Sequence, residues 1–319
     1  MNRKVVVTDS IWGEVEVEAQ VLKAEGFRVV LAPSPESLPS VAQDAQALIV
    51  QYTPITRQLL ARMPQVKVIS RYGVGVDNVD LEATRELGIW VANVPDYGTE
   101  EVALHALALI LALLRRIVPQ NQLVRQGYWD HRVAGLVPRA SQLTLGVVGL
   151  GKIGRRVAWK GKDLFQRVLA YDPWASPWPE GVERVQELAH VFQESQVVSL
   201  HLPLNPENQG LVGRELLALM PRGSYLVNTA RGKLVQAAAL RWALEEGILE
   251  GVALDVLPEE PPSRELLALF EHPKVLLTPH MAWYSQASER ELRRTAALNI
   301  LHWAQTGRPL YPVTETPHG

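Results

Sequence analysis

Gly149-Leu150-Gly151-Lys152-Ile153-Gly154 is the stretch of sequence that decides the fold. The apolar run of residues 143–148 precedes it and is typical of a buried strand. Residues 155–165 then have the pattern of a helix, and a second apolar run ends at Asp172. Strand, glycine turn, helix, strand and acidic residue follow one another in this order in dinucleotide-binding βαβ units. Without this setting the hexapeptide would be a weak signal, because glycine-rich stretches also arise by chance.

Each glycine of this turn serves a separate physical purpose. Gly149 permits a tight turn, Gly151 lets a pyrophosphate approach the backbone, and Gly154 lets the helix pack closely on the strand. The phosphates would meet the electropositive N-terminus of the helix. A carboxylate at Asp172 would accept hydrogen bonds from the adenosine ribose and repel a 2′-phosphate. The sequence therefore predicts NAD rather than NADP as the cofactor.

Composition narrows the possible function classes. The net charge of -2 gives no excess that would favour binding to nucleic acid or to a membrane surface. The chain has no cysteine, which excludes disulfides, thiolate metal sites and cysteine nucleophiles and fits a cytoplasmic protein. No set of His, Asp and Glu has metal-ligand spacing, so no metal is predicted.

Short apolar strands alternate with helices along the whole chain of 319 residues. This alternation predicts an α/β protein with doubly wound parallel sheets. We expect two Rossmann-like or flavodoxin-like domains with a cleft between them. Residues 1–97 and 287–319 would form the substrate-binding (catalytic) domain, and residues 98–286 the NAD-binding Rossmann domain.

One long apolar helix is predicted from Thr99 to about Gly127. The Tyr128–Ala140 segment that follows contains Trp129 and several basic residues. This segment can be interpreted either as an arm that packs on a second subunit or as a plain surface loop. The residues alone favour neither interpretation.

Ligands of open parallel sheets bind beyond the carboxyl ends of the strands. The polar residues at those ends in the second half of the chain are Asp172, His201, Thr229 with Arg231, Asp255 and His280. A rigid acidic loop, Leu257–Pro262, follows Asp255. Two histidines, an arginine and several carboxylates are thus predicted to lie on the same edge as the cofactor.

At this point the chain resembles the D-isomer-specific 2-hydroxyacid dehydrogenases. The resemblance covers nearly the whole chain and rests on these stretches: Arg71–Asn78, Gly149–Gly154, His201–Leu204, Asn228–Gly232, Asp255–Pro262 and Thr278–His280. The run His280–Ser285 is most similar to the C-terminal-binding protein and phosphoglycerate dehydrogenase-like branch of the family.

The resemblance implies three catalytic residues, and their chemistry suits the reaction. Arg231 would hold the substrate carboxylate and polarise the carbonyl, because its guanidinium forks onto two oxygens. His280 would be the general acid and base. Glu260 would orient His280 and favour its charged form. Glu259 is the rival for this role, and Glu260 is preferred because it directly precedes Pro261.

The resemblance also implies binding residues, several of which have a plain structural reading. The cofactor set is Thr99, Gly149, Gly151, Lys152, Ile153, Gly154, Asp172, His201, Pro203, Asn208, Thr229, Ala230, Arg231, Asp255 and His280. The substrate set is Tyr52, Val74, Gly75, Arg231, His280 and Trp283. Thr99 could instead cap its own helix, and Asp255 and His201 could be purely structural. His105 and the remaining histidines are interpreted as structural or solvated.

The implied activity is NAD-dependent, reversible conversion of a D-2-hydroxy acid into its 2-keto acid. Phosphoglycerate, glyoxylate and hydroxypyruvate all remain open as substrates. A homodimer is expected, with no nucleic acid or membrane partner. The alternative is an NAD(H)-sensing, corepressor-like interaction protein with weak dehydrogenase activity. The intact set of Arg231, Glu260 and His280 favours the enzyme.

Overall fold

The computed structural model describes residues 3–314 of the chain. Contacts between residues divide the chain into two compact units. The first consists of Met1–Tyr97 and Ser285–Gly319, and the second of Gly98–Tyr284. The predicted second boundary, after residue 286, lies two residues further along the chain than this one.

The first unit is a parallel sheet of five strands in the order β2-β1-β3-β4-β5. Its strands are β1 (Arg3–Val7), β2 (Phe27–Leu31), β3 (Ala47–Val50), β4 (Val68–Arg71) and β5 (Trp90–Ala92). Its helices are α1 (Glu16–Leu22), α2 (Leu38–Val41), α3 (Arg57–Leu60) and α4 (Leu81–Glu86), with the last helix of the chain, Gln286–Thr306. This strand order is that of flavodoxin-like sheets.

A buried ion pair joins the last helix of the first unit to α1. The Arg293 guanidinium donates to both carboxylate oxygens of Glu18, each at 2.8 Å. The Tyr72 hydroxyl, at the end of β4, donates to the same carboxylate at 2.7 Å. Because all three side chains are almost fully buried, these contacts fix the chain where it leaves β4.

The second unit is a parallel sheet of seven strands in the order β12-β11-β10-β9-β6-β7-β8. Its strands are β6 (Thr144–Val148), β7 (Arg167–Tyr171), β8 (Glu183–Arg184), β9 (Val197–Leu200), β10 (Ser224–Asn228), β11 (Leu249–Leu254) and β12 (Val275–Leu277). Its helices are α5 (Thr99–Leu114), α6 (Ile117–Arg125), α7 (Lys152–Gly161), α8 (Leu188–Glu194), α9 (Arg214–Leu217), α10 (Ala237–Glu245) and α11 (Arg264–Leu269), so that the helix Gln286–Thr306 is α12. The chain reverses its direction of winding between β6 and β9, which is where Rossmann sheets bind dinucleotides.

These two parallel sheets confirm the predicted fold class. Six strands were predicted for the second unit, and the structure adds β8. That strand has only two residues, both exposed, so it leaves no apolar run in the sequence. The strands β6 and β9 are buried along their whole length, as expected for strands covered on both faces.

The prediction of one long helix from Thr99 to about Gly127 was wrong. The helix α5 ends at Leu114, and Arg116 adopts a left-handed backbone with φ of 51° before α6 begins. The helix α5 is apolar and six of its 16 residues are buried, whereas α6 has no buried residue. Among residues 3–314 no single helix is long and apolar enough to span a membrane. The pair α5 and α6 meets that criterion only together, and it is bent by 58°.

Candidate active site

The glycine turn after β6 is tightly packed at two glycines and open at the third. Gly149 has a φ of +92°, and a Cβ on it would lie 2.6 Å from the His201 carbonyl oxygen. A Cβ on Gly154 would lie 1.9 Å from the Gly149 carbonyl oxygen. A Cβ on Gly151 would meet nothing within 4 Å. The turn thus leaves open space where Gly151 and the N-terminus of α7, at Lys152 and Ile153, could receive a phosphate.

Asp172, at the end of β7, lies beside this turn. One of its carboxylate oxygens accepts a hydrogen bond from the Leu150 N–H at 2.7 Å, and the other accepts from the Trp174 N–H at 2.8 Å. A carboxylate has about four acceptor positions, so these two bonds leave capacity for a diol. The geometry therefore fits a ribose held next to the turn.

His201 and Thr229 lie at the ends of β9 and β10, the strands next along the sheet. His201 Nε2 lies 2.9 Å from the Ser199 hydroxyl, and burial lowers the pKa of His201 to about 4, so its ring is neutral near neutral pH. The Thr229 hydroxyl is buried without a hydrogen-bond partner within the part of the chain that the structure describes. A buried hydroxyl of this kind needs an explanation, and a polar group of a bound cofactor supplies one. The open face at Gly151, Asp172 and the Thr229 hydroxyl together fit a dinucleotide.

For two predicted cofactor residues, Asn208 and Thr99, the structure tests the alternative of a purely structural role. The Asn208 side chain donates to the Pro203 carbonyl at 2.7 Å and accepts from the Asn205 N–H at 2.8 Å, so it closes its own loop. Thr99 is the first residue of α5, and Gly98 occupies the N-cap position. Thr99 is therefore not the cap of its helix, and its contact with a cofactor stays a prediction.

His280 and Glu260 form a short hydrogen-bonded pair. His280 Nδ1 lies 2.5 Å from Glu260 Oε2, and each side chain is 31% exposed. The second carboxylate oxygen of Glu260 accepts from the Leu257 N–H at 2.9 Å. Burial alone would raise the pKa of Glu260, but the hydrogen bond and charge of His280, the Leu257 N–H and the charge of Arg231 lower it below its ordinary value. Glu260, and not Glu259, makes the contact with His280.

Arg231 belongs to the same cluster. Its half-buried guanidinium donates to the Ala230 carbonyl at 2.8 Å, and its positive charge is felt at Glu260. A Cβ on the neighbouring Gly232 would lie 2.0 Å from the Leu257 carbonyl carbon. The absence of a side chain at Gly232 thus lets the loop after β10 lie directly against the loop that carries Glu260. The structure brings the three predicted catalytic residues together.

Asp255 is almost fully buried and organises the segment that carries His280. Its carboxylate accepts hydrogen bonds from the Thr278 hydroxyl at 2.6 Å and from the N–H groups of Met281 and Ala282, each at 2.9 Å. The sequence left open whether Asp255 binds the cofactor or is purely structural. These contacts give it a structural role, and its contact with a cofactor stays a prediction. The Thr278 hydroxyl also lies 3.1 Å from Nε2 of His105, a residue interpreted from the sequence as structural or solvated. Its only signal was a polar residue inside the apolar run of α5.

The predicted substrate residues divide between the two units. In the first unit Tyr52 and Val74 are each 48% exposed, and Gly75 is half-buried. The Tyr52 N–H donates to the Asp9 carboxylate at 2.6 Å, so Asp9 fixes that loop, a role that no motif indicated. In the second unit Trp283 is 8% exposed and packs edge-on against Tyr284. The substrate contacts of these residues stay predictions. Among residues 3–314 no group of three or more His, Asp or Glu could hold a metal ion.

Comparisons with known proteins identify the family. The family model for the NAD binding domain of D-isomer specific 2-hydroxyacid dehydrogenases matches residues 107–282, more than half of the chain. The chain is 36% identical over 299 residues to the D-3-phosphoglycerate dehydrogenase of Methanocaldococcus jannaschii, covering 92% of this chain and 55% of that protein. It is 37% identical over 278 residues to the glyoxylate reductase of Korarchaeum cryptofilum, covering 84% of this chain and 82% of that protein. This chain therefore spans about half the length of the first of these relatives.

A solved structure points the same way. The D-lactate dehydrogenase of Aquifex aeolicus, complexed with NAD and lactic acid, has a TM-score of 0.86 and 30% identity to this chain, covering 95% of this chain and 96% of that one. The comparisons confirm the predicted family, the oxidoreductase class and NAD as the cofactor. They give no support to the corepressor-like alternative. The chain belongs to the D-isomer-specific 2-hydroxyacid dehydrogenase family, a family of NAD-dependent oxidoreductases, and its second unit contains that family's NAD-binding domain.

Proposed function

We propose that this chain catalyses the reversible, NAD-dependent interconversion of a D-2-hydroxy acid and its 2-keto acid. The observation that carries the proposal is the contact of 2.5 Å between His280 Nδ1 and Glu260 Oε2, with the charge of Arg231 acting on the same carboxylate. This cluster follows β10, β11 and β12, at the sheet edge that also bears the glycine turn after β6. Carbonyl reduction needs a proton donor, a cation and a bound dinucleotide. This edge of the sheet has candidate residues for all three.

In this proposal His280 moves the proton. The ionised Glu260 accepts from the Nδ1–H of His280, which leaves Nε2 as the nitrogen that exchanges a proton with the substrate oxygen. Since the pKa of Glu260 is lowered, its negative charge persists through the working pH range and stabilises the imidazolium. His280 gives its proton to the keto oxygen during reduction and takes it from the hydroxyl during oxidation.

Arg231 positions and polarises the substrate. Its planar guanidinium can donate to a carboxylate oxygen and to the neighbouring carbonyl oxygen at the same time. The Ala230 carbonyl, 2.8 Å from Arg231 Nη1, orients the group. NADH, when bound, supplies the hydride that reaches the carbonyl carbon.

The relatives indicate which substrates to test. They carry the names phosphoglycerate dehydrogenase, glyoxylate reductase and D-lactate dehydrogenase. We therefore propose a small 2-keto acid as the substrate, with glyoxylate, hydroxypyruvate and pyruvate as candidates for reduction. The corresponding oxidations would act on glycolate, glycerate and D-lactate. 3-Phosphoglycerate is a further candidate, and its keto acid is 3-phosphohydroxypyruvate.

The test is NADH consumption with this panel of 2-keto acids, repeated with NADPH. We expect turnover with NADH, and a fall in kcat/KM of about 1,000-fold or more in both His280→Ala and Arg231→Ala, because each loses a group that acts on the reacting carbonyl. NADH binding, followed by quenching of tryptophan fluorescence, should persist in both variants. Turnover close to that of the wild type in either variant would remove its assigned role.

The adjacent carboxylates provide a matched pair for the role of Glu260. Glu260→Gln removes the charge beside His280, and we expect kcat to fall by about 10- to 100-fold. Glu259→Gln removes the charge of the exposed neighbouring residue and should leave kcat unchanged, because the carboxylate paired with His280 is that of Glu260. Equal effects of the two substitutions would mean that His280 does not depend on Glu260.

We also propose that the protein is a homodimer that buries the region around α6. Large apolar side chains are exposed there, with Trp129 at 89% and Leu136 at 95%. Apolar patches of this kind on a folded protein mark interaction sites. Analytical ultracentrifugation should show a dimer for the wild type and a shift towards monomer in Trp129→Ser with Leu136→Ser. A monomeric wild type would refute this proposal.

A further inference from the structure

A chain of side-chain hydrogen bonds lies behind the segment that carries His280. Asp255 is 2% exposed, and its Oδ1 accepts from the Thr278 hydroxyl at 2.6 Å. His105, on α5, has its Nε2 3.1 Å from the same hydroxyl and 3.6 Å from Asp255 Oδ1. The side chain of His105 is 19% exposed. Three residues distant in sequence therefore meet at one hydroxyl.

The direction of these hydrogen bonds follows from the number of hydrogens. A threonine hydroxyl has one hydrogen, and here it is given to the Asp255 carboxylate, which only accepts when ionised. The contact between His105 Nε2 and the Thr278 oxygen must then be a donation from the imidazole. This assigns the proton of His105 to Nε2 and fixes the rotamer of Thr278.

The backbone of His280 depends on the same residues. His280 has a φ of 52°, a left-handed conformation that is unfavourable for a residue with a side chain. Its N–H donates to the Asp255 carbonyl at 2.8 Å and to the Thr278 carbonyl at 3.0 Å. The next two N–H groups donate to the Asp255 carboxylate. Asp255 and Thr278 thus hold His280 in a conformation that the isolated segment would not keep.

We propose that His105 is a positioning residue of this site, acting on His280 through Thr278 and Asp255. The proposal rests on the function proposed above, because it assumes that His280 exchanges the proton. His105 locks the Thr278 hydroxyl onto the Asp255 carboxylate, and that carboxylate then keeps its full set of contacts with residues 281–282. Without the imidazole N–H, the hydroxyl can rotate away and His280 leaves its alignment with Glu260.

The first test compares His105→Leu with His105→Gln. Leucine removes the donor, and we expect kcat for 2-keto acid reduction to fall by about 10- to 100-fold, as small misplacements of a catalytic group do. Glutamine keeps an N–H donor at a similar reach and should retain more of the activity. The KM for NADH should change little in either variant. His190→Gln, an exposed histidine on α8 of the same unit, is the control and should leave kcat unchanged.

Thr278→Val and Thr278→Ser provide a second route if His105→Leu does not fold. Valine removes the hydroxyl that links His105 to Asp255, whereas serine keeps it, so the loss in kcat should be larger in Thr278→Val. An unchanged kcat in His105→Leu, or equal losses in Thr278→Val and Thr278→Ser, would overturn the proposal.

Proton–nitrogen NMR of the histidine rings separates this proposal from the function on which it rests. We expect His105 to carry its proton on Nε2 in the wild type, and His105→Leu to shift the ring signals of His280. Identical His280 signals in both proteins would overturn the positioning role. A wild type that reduces no 2-keto acid would refute the proposed function, and the NMR comparison would still decide whether His105 positions His280.

Discussion

The glycine turn and the Glu260–His280 pair lie on the same edge of one sheet, yet they are built in different ways. The turn takes most of its shape from six consecutive residues, with His201 and Leu202 close to its glycines and Asp172 accepting from the Leu150 N–H. The Glu260–His280 pair joins the loops after β11 and β12, the loop after β10 lies against Leu257 at Gly232, and His105 of α5 contacts Thr278 behind the pair. The first region is specified locally, and the second only when the sheet has assembled.

This difference decides what a substitution does in each region. A change in the turn acts through backbone atoms that are already close in sequence, so its effect follows from the glycine geometry. A change in the assembled region acts through contacts between segments that folding brings together. Substitutions can therefore remove one region and spare the other, which tests whether the two are separable.

Among the substitutions that compare these two regions, the largest effect is expected from Gly232→Ala, which separates the loops of the assembled region. The new Cβ would lie 2.0 Å from the Leu257 carbonyl carbon and 2.4 Å from the Pro258 nitrogen, so the backbone must move. We expect kcat/KM to fall by about 100-fold, because the loops that carry Arg231 and Glu260 would move apart and the two side chains would no longer be aligned. The free energy of unfolding should also fall by about 1–3 kcal/mol, as overpacking of a close contact does.

Lys233→Ala is the control for this substitution, because Lys233 occupies the same turn with an exposed side chain. Steady-state kinetics and urea unfolding of the two variants make the comparison. Equal kinetics for Gly232→Ala and Lys233→Ala would mean that the close approach at Gly232 does not align the cluster.

The glycine turn offers its own matched pair. Gly154→Ala would place a Cβ 1.9 Å from the Gly149 carbonyl oxygen, so it should weaken NADH binding and lower the free energy of unfolding by about 1–3 kcal/mol. Gly151→Ala meets no protein atom within 4 Å. It should leave stability nearly intact and still raise the Kd for NADH by about tenfold or more, because the methyl group takes the space of a phosphate.

Calorimetric titration with NADH and thermal unfolding of these two variants are the measurements. A Gly151→Ala variant that binds NADH as the wild type does would show that the open face of the turn is not the phosphate site.

Asp172→Ala removes a single carboxylate at the edge of the turn. We expect the Kd for NADH to rise by about tenfold, because a charge-assisted hydrogen bond to the ribose contributes about 1.5–3 kcal/mol and only part of it is lost when water replaces it. Binding of NADPH should improve relative to NADH, since the repulsion of the 2′-phosphate is removed. Unchanged affinities for both cofactors would mean that Asp172 does not contact the ribose.

Much of the fold could be predicted because its signals are local. Apolar runs bounded by polar residues gave the buried strands, and the glycines with Asp172 gave the Rossmann order. The break after Leu114 was missed because both α5 and α6 have helix-forming sequences. The left-handed residue between them, Arg116, is held by an ion pair with Glu250, which lies far away in sequence.

The same distinction between local and assembled signals applies to the residues of the site. Arg231, Glu260 and His280 could be named because they belong to recognisable motifs at strand ends. The support behind His280 could not, since His105 and Thr278 are 173 positions apart and only the packing of α5 on the sheet brings them into contact. The same holds for Asp9, whose carboxylate collects the backbone N–H groups of residues 51–53.

Two histidines at strand ends extend the comparison to pH. His280 is paired with a carboxylate, whereas the side chain of His201 lies close to the glycine turn and has the neutral Ser199 hydroxyl as a partner. Burial lowers the pKa of His201 from 6.5 to about 4. Between about pH 4 and pH 6.5, His201 binds a proton in the unfolded chain but not in the folded protein. Stability therefore falls as the pH drops from about 6.5 towards 4, by at most about 3 kcal/mol in total.

The smallest expected effect follows from this linkage. His201→Gln removes the titrating group and keeps an amide that can reach Ser199, so its stability should depend less on pH. Urea unfolding at pH 7 and pH 5.5 should show that the wild type loses about 1 kcal/mol more than His201→Gln between the two. Other titrating groups contribute equally to both proteins and cancel in this difference. The same pH dependence in both proteins would mean that His201 is solvated in the folded state, and the turn above it would then be less closely packed than its glycines indicate.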